Sequence, residues 1–427
     1  MASTHLSRTF GTSTNTGIFT MSFWVKRANL GSTGMIAFAT FGNNNTKWLQ
    51  VAFNSDNKFV VSGYSTLWLA TNRLFRDTNA WYHIVVQADS PQGTASNRLK
   101  IYVNGVEETS FATDNRSSIT QSQTWGWNSS GGVVHYIGSE ATGNFFDGSL
   151  SHFHFADGSI VAPTVFGSTD ATTGEWKINT SPSFTLGNNG FTILKDGNTI
   201  TDQSTNSNNW TLAGGTLTKT EDCPDNVFAT LSAIDKYAAG LSNGSTTVTN
   251  ESNAATIVLS TLAVNSGKWY WEAKVENSTA DNFNVGIKQT GQNNYNVTGS
   301  AYNSTGWVYA TDGNIYHGGS SILNTGTTST VGDIIGFILD MDAGTLKLKK
   351  NGSDIYSGNA VVSSLNTGEH YHVVQGASQS IVSFNFGNGY FGTTAVSSAG
   401  TNASGNGIFE YDVPTGFTAL STKGLNL

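Results

Sequence analysis

"GKWYWEAKVEN", residues 267–277, decides the fold when it is read two residues at a time. Trp269, Trp271, Ala273 and Val275 fall on one side, and Lys268, Tyr270, Glu272 and Lys274 on the other. A period of two is that of a strand with one face in a core and the other polar; a helix would repeat its apolar residues every three or four. The same pattern continues outward. "FNVGIKQ" (283–289) follows it, and "GDIIGFILDMDAGTLKLKKNG" (332–352) reads as a strand, a turn at Asp342-Ala343-Gly344 and a second strand ending at Asn351-Gly352. "HYHVVQGA" (370–377) and "SIVSFNFG" (380–387) close the set. In the first half, "FTMSFWVKR" (19–27) alternates, and "WYHIVVQAD" (81–89) is the nearly continuous apolar run of a strand buried on both faces. "RLKIYVNGVEE" (98–108) is a hairpin with Leu99, Ile101 and Val103 on one face and a type I′ turn at Asn104-Gly105. "VVHYIGS" (133–139) and "GSLSHFHFAD" (148–157) add two strands. No sustained helical period occurs, so the predicted class is all-β: two antiparallel, jelly-roll-like β-sandwich domains joined by a partly structured connector.

Composition bounds the function classes. The 427 residues suffice for two or three domains, each able to bury a core. Charged residues are 12%, about half the usual share, and Gly, Ser, Thr and Asn take their place. Aromatics at 11% argue against disorder. Cys223 is the single cysteine, which excludes an intrachain disulfide and a thiolate metal cluster. The formal charge is −8 and the densest basic run is "KLKK" (347–350), too little to neutralise a phosphate backbone, so no nucleic-acid partner is expected. The opening "MASTHLSRTF" has no apolar core of a secretory signal, and no run is long enough for a membrane span. The expectation is synthesis in a cytoplasm without membrane insertion.

The pattern sets provisional boundaries at 1–167 for the first sandwich and 225–395 for the second. Residues 168–224 are rich in turn formers with only "FTILKD" (191–196) strand-like; Trp176, Phe184, Phe191 and Trp210 mark them as a connector packed on the first sandwich, since a flexible linker would not carry them. Residues 396–427 hold Phe409, Tyr411, Val413, Phe417 and Leu420 in "FEYDVPTGFTAL" (409–420), apolar anchors that predict docking on the second sandwich.

The ordered set "TMSFWVKR", "WYHIVV", "RLKIYVNGVE", "YIGS" and "FFDGSLSHFHFADG" resembles a laminin G / concanavalin A-like jelly roll over residues 1–166. "SGKWYWEAKVE", "NVGI", "GDIIGFILDMDAGTLKLKKNG" and "VSFNFG" resemble a SPRY domain over residues 225–395. With the "LSRT" opening, the "NNWT" connector and the "VPTGFTAL" ending, the whole order is similar to virion-associated proteins of marine tailed bacteriophages. That resemblance implies a component of a virus particle made in the bacterial host cytoplasm, in contact with other virion proteins and touching a host-surface glycan or receptor. It also implies a homo-oligomer, with a trimer the expected state.

Lectin-like jelly rolls include glycoside hydrolases, so acidic pairs matter. Retaining enzymes need two carboxyls about 5 Å apart, and the Glu-x-Asp-x-Glu strand of laminarinase-type enzymes is absent. Glu272 and Glu276 are four residues apart on one strand face, Asp340 and Asp342 flank a turn, and Glu107-Glu108 point to opposite faces. No Gly-x-Ser-x-Gly elbow is present. The pairs His152/His154 and His370/His372 have the spacing for metal ligation, but read more simply as polar strand faces opposite Phe153 and Phe155, or Tyr371 and Val373. Laminin G-like modules often hold a calcium ion at a loop rim; Asp114 and Asp147 are the oxygen donors on offer, although Asp147-Gly148 is also an ordinary turn pair. A non-enzymatic protein is expected.

Sugar binding calls for an exposed aromatic platform ringed by amides and hydroxyls. "TWGWNSSGG" (124–132) offers Trp125 and Trp127, and "YSTLWLATN" (64–72) offers Trp68. In the SPRY-like half, "QNNYNVTGSAYNSTGW" (292–307) and "YATDGNIYHGG" (309–319) offer Tyr295, Tyr302, Trp307 and Tyr316; the competing reading of each of these Trp and Tyr residues is that it caps the end of a sandwich core. The leading expectation is a tail fibre or appendage protein binding the host through such loops. The competing expectations are a capsid decoration or cement protein without a ligand, and a polysaccharide-degrading enzyme.

Overall fold

A computed structural model describes residues 3–426 apart from 32–34, 42–48, 64, 131, 142, 196, 198, 238, 251–255, 279–282, 292–304 and 377–379. Among these residues the chain is all-β, with helical structure limited to three-residue 3-10 turns, and no helix is long and apolar enough to cross a membrane. It divides into two compact units, Met1–Lys219 and Thr220–Leu427.

The first unit is a sandwich of two antiparallel sheets. The eight-stranded sheet runs, edge to edge, through Phe111–Asp114, Leu67–Leu74, Lys58–Gly63, Leu49–Phe53, Met35–Phe41, Val134–Ile137, His5–Thr9 and Thr211–Gly214. The six-stranded sheet runs through Phe191–Ile193, Gly148–Asp157, Ile18–Arg27, Trp81–Asp89, Leu99–Val103 and Val106–Glu107. Asn104 and Gly105 both have positive φ, 49° and 79°, as a type I′ turn requires. Trp81–Asp89 is buried along nearly all of its length because both of its faces are covered. Ile84, Val86 and Ala88 enter the core between the sheets, while Val85 lies in a second cluster with Ala156, Val161 and Phe166. The residues between the two sandwich patterns are not a separate linker. Phe191–Ile193 pairs with Gly148–Asp157, Thr211–Gly214 pairs with His5–Thr9, and Trp210 is 4% exposed in the same core.

The second unit is also a two-sheet sandwich. One sheet runs through Leu231–Tyr237, Ile257–Val264, Tyr371–Gln375, Asn284–Gln289, Gly306–Ala310, Asn314–His317 and Ser320–Asn324. The other runs through Gly240–Ser242, Thr247–Asn250, Ser380–Asn385, Lys268–Ser278, Ile334–Asp340, Thr345–Lys350 and Ser353–Asp354. Trp269, Trp271, Ala273 and Val275 do point into the core, where Trp271 stacks on its cross-strand partner Phe337 at 5.2 Å. Their neighbours Tyr270 and Glu272 are not on a solvated face, however. The C-terminal segment crosses it: Phe409 and Val413 pack on Tyr270 and Ile338, and Thr418–Ala419 pairs in parallel with Trp269 and Tyr270. Asp340 and Asp342 serve turns. Asp340 Oδ1 accepts the Ala343 N–H at 2.9 Å, and Asp342 Oδ1 accepts that of Gly267 at 2.8 Å.

Candidate functional site

Of the aromatic residues singled out in the sequence, those of the first unit are core. Trp125 and Trp127 are 0% exposed and Trp68 is 7% exposed. The two indoles of the Gly126–Asn128 turn stack on each other at 5.9 Å, and Trp68 meets Trp125 edge-on at 5.4 Å. Trp125 Nε1 donates to the Gly17 carbonyl at 3.2 Å, and Asn128 Nδ2 donates to Asp157 Oδ1 at 2.6 Å. The Gly/Ser/Asn composition of this stretch predicts an exposed loop. It turns inward because burying two indoles gains more than solvating them; Asn128 Nδ2 serves the Asn15 carbonyl and Asp157, while Trp127 Nε1 and Asn128 Oδ1 are buried without a hydrogen-bond partner. These three tryptophans therefore close one end of the sandwich and are not a ligand platform.

Asp114 and Asp147, the oxygen donors on offer for calcium, lie in different surroundings. Asp114 is held by Arg116, Nη2 to Oδ2 at 2.6 Å and Nε to Oδ1 at 2.9 Å, and those side-chain bonds lower its pKa. The Asp147 carboxyl is pushed up by burial, which disfavours the anion a metal needs. Among the described residues no group of three or more His, Cys, Asp and Glu is placed to hold a metal ion. His154 is buried against Phe166 and hydrogen-bonded to Thr192 Oγ1 at 3.0 Å; His372 Nδ1 donates to the Ser260 carbonyl at 2.7 Å. His154 lies on the face opposite Phe153 and Phe155 as predicted, but residues 166–184 cover it, so that face is not solvated.

The acidic residues weighed for hydrolysis are also engaged. Glu272 is 0% exposed, and Glu276 pairs with Lys274 at 3.4 Å. A serine–histidine contact does occur, between Ser22 Oγ and His83 Nε2 at 2.9 Å. Trp176 Nε1–H donates to His83 Nδ1 at 3.0 Å, so Nδ1 is the acceptor and Nε2 carries the proton. The imidazole thus donates to Ser22 and cannot take its proton. Burial also holds the His83 pKa down at about 3.

In the second unit, Tyr295 and Tyr302 lie outside the described residues. Trp307 and Tyr316 stand on neighbouring strands, Gly306–Ala310 and Asn314–His317, joined by a turn at Asp312-Gly313. The register pairs Val308 with Tyr316, and side chains alternate along each strand. Trp307 and Tyr316 therefore lie on opposite faces of the sheet. Tyr316 packs with Ile257, Val308 and Val374, and its hydroxyl donates to Asp312 Oδ2 at 2.7 Å. Burial raises the Asp312 pKa, but hydrogen bonds from Tyr316 and Asn314 outweigh it and leave the carboxyl below its ordinary range.

Trp307 is half-buried at the margin of the core, and its partner was not foreseen. The His317 ring stacks on the indole at 4.2 Å with 6° between the planes, and the buried Tyr371 ring lies 6.0 Å from it. His317 Nδ1 is 3.0 Å from the Gly306 carbonyl, an acceptor only, so Nδ1 carries the hydrogen. In the neutral ring Nε2 is then an acceptor without a hydrogen-bond partner among the described residues. At the base of the same strand pair, Lys288 Nζ donates to Thr305 Oγ1 at 2.9 Å, and burial lowers the amine to about 8. The pair was hidden in the sequence because residues 307 and 317 become neighbours only through the hairpin register. Once the turn at Asp312-Gly313 is centred, counting outward would have found it.

Comparison with known proteins defines the class. The chain carries two jelly-roll-like sandwich modules in tandem. Residues 3–166 match the concanavalin A-like lectin/glucanases superfamily, in its laminin G form, and residues 268–389 match the SPRY domain. The protein is thus a laminin G / concanavalin A-like domain followed by a SPRY domain. No curated protein matches it. Among solved structures, the SPRY domain of human HERC1 is 25% identical, covering 36% of this chain and 96% of its own, with a TM-score of 0.32. A second human SPRY domain is 16% identical, covering 35% of this chain and 95% of its own, with a TM-score of 0.29.

Proposed function

We propose that this chain is a non-enzymatic virion protein of a tailed bacteriophage, part of a tail fibre or other appendage, that binds a host-surface glycan or receptor through the sandwich edge of its SPRY domain. The virion context is supported by the order of the two modules and the flanking segments, which resemble such proteins. The recognition role is carried by the stacked Trp307 and His317 rings. The partly exposed Trp307 indole, with the His317 ring stacked on it, offers apolar surface, and His317 Nε2 offers an acceptor to a hydroxyl, two contacts a sugar ring can use. In this reading the first unit, whose described tryptophans lie in its core or on its flanks, serves attachment to other virion proteins and assembly of the homo-oligomer.

The test is titration of fluorescent full-length protein on bacterial cells that the particle infects, with antibody-gold labelling of the particle in parallel. Saturable binding that Trp307→Ala weakens by about tenfold, with label at the tail or its fibres, is expected. Wild-type protein that leaves those cells undecorated would sink the recognition role. Label spread over the capsid would transfer the protein to the decoration class, which the burial of Trp68, Trp125 and Trp127 in the first unit favours over a two-headed lectin.

A further inference from the structure

A second contact surface needs an exposed aromatic ring. The tryptophans among the described residues are buried or half-buried, and the two most exposed of the phenylalanines, tyrosines and tryptophans are Tyr237 at 37% and Tyr356 at 38%. Tyr237 ends an ordinary edge strand, Leu231–Tyr237. Tyr356 is different. It opens the turn Tyr356–Gly358 that follows the edge strand Ser353–Asp354, and three successive residues are left-handed: Tyr356 at φ 53°, Ser357 at 54° and Gly358 at 75°. Glycine accepts this conformation without penalty, whereas for a bulky side chain it is an outlier.

The turn is imposed by its flanks. Ile355 is 1% exposed on one side, and Val361 is 4% exposed on the other. Between them Gly358 N–H donates to the Ile355 carbonyl at 3.2 Å and Asn359 N–H to the Tyr356 carbonyl at 3.0 Å. Tyr356 is 38% exposed, more than any other phenylalanine, tyrosine or tryptophan among the described residues. A bulky aromatic held in an unfavourable backbone conformation at the surface, with part of its ring open to solvent, is the kind of local conflict that marks a functional position. Its neighbours Ser353, Asp354, Ser357 and Asn359 are all exposed, so hydroxyl, carboxylate and amide groups surround the ring. Asp354 shares its carboxylate with Lys349 at 3.4 Å.

We infer that the Tyr356–Asn359 tip is a glycan-contacting subsite, separate from the Trp307–His317 pair, in which the Tyr356 ring stacks on the C–H face of a sugar while Ser357 and Asn359 bond its hydroxyls. The inference rests on the glycan-binding reading above. It identifies the ligand class as a polysaccharide or oligosaccharide chain, because two separated contacts suit a chain better than a single sugar.

The experiment uses the full chain on an array of defined bacterial oligosaccharides and polysaccharides, followed by calorimetric titration of the best-bound glycan. Tyr356→Ala is expected to weaken binding by about tenfold, and Tyr356→Phe, which keeps the ring, by less than about twofold. The melting temperature of Tyr356→Gly, which relieves the left-handed backbone, is expected to stay close to that of the wild type, which separates lost contact from lost fold. Tyr356→Gly should bind as poorly as the alanine variant. Wild-type binding to a glycan that Tyr356→Ala preserves within twofold overturns the subsite and leaves the wider reading standing. Absence of wild-type binding to any glycan on the array overturns both.

Discussion

The Glu272 carboxylate is fully buried, and its four partners are neutral donors. It accepts the N–H of Glu410 at 3.0 Å, that of Tyr411 at 2.9 Å, the Tyr270 hydroxyl at 3.1 Å and Asn385 Nδ2 at 3.2 Å. Burial pushes its pKa up to about 7 in spite of those bonds, from an ordinary value of 4.5. The folded state therefore holds the proton more tightly than the unfolded chain. The stabilising contribution of this group is complete below about pH 4.5 and is lost as the pH rises through about 7. Glu272→Gln cannot titrate. The difference in unfolding free energy between wild type and Glu272→Gln, from denaturant titrations, should shift against the wild type across that window. The upper limit is about 1.4 kcal/mol per pH unit. A difference that stays flat from pH 4.5 to 8 would mean that Glu272 is ionised throughout. Alternation along "GKWYWE" put Glu272 opposite the tryptophans, which is where it lies. What the local pattern could not contain is the segment some 140 residues later that seals this face.

Elements show the same division between pattern and placement. The hairpins were legible because a strand's period and an Asn-Gly turn are local properties: Asn104-Gly105 and Asn351-Gly352 both carry the positive φ pair. The 124–132 stretch reads equally as an exposed platform or as a cap on the core, because turn-forming composition signals a loop without saying which way the loop faces. Here Trp127 also meets Phe19 edge-on at 5.7 Å, and His135 Nε2 donates to its carbonyl at 3.1 Å. Trp127→Ala should accordingly destabilise the first unit by about 3–5 kcal/mol, the range for removing a buried aromatic side chain. Glycan affinity of molecules that remain folded should be unchanged. Weakened binding by Trp127→Ala at unchanged thermal stability would restore the platform reading of this loop.

At the scale of the whole molecule, the chain divides near Lys219, well after the pattern of the first sandwich ends at 167. Residues 168–219 have little regular pattern, but they supply strands to both sheets, and Trp210 lies edge-on to Phe191 at 5.1 Å. Their aspartates act as anchors. Asp202 accepts the N–H groups of Thr192 at 2.9 Å, Ser204 at 2.9 Å and Asn208 at 2.7 Å. A fragment of residues 1–167 would leave Phe10, Phe155 and their neighbours partly uncovered and two sheet edges open. We expect that fragment to aggregate, and residues 1–219 to be monodisperse with a cooperative melt. Gel filtration and circular dichroism distinguish the two, and a soluble, cooperatively folded 1–167 would show that the later strands are dispensable.

The sequence by itself determined the all-β class, the antiparallel hairpins, the order of the two modules and the side of each strand that faces a core. These follow from the period-two pattern, turn chemistry and ordered strand signatures, all read within a few residues of one another. Only the tertiary structure decided which polar faces are covered. It turned Trp68, Trp125 and Trp127 inward, drew residues 168–219 into the first sandwich and buried Glu272 beneath the C-terminal segment. It also paired Trp307 with His317 and left Tyr356 exposed on a left-handed turn. Exposure is a property of every segment that packs over a residue, and most of those segments lie far away in the chain.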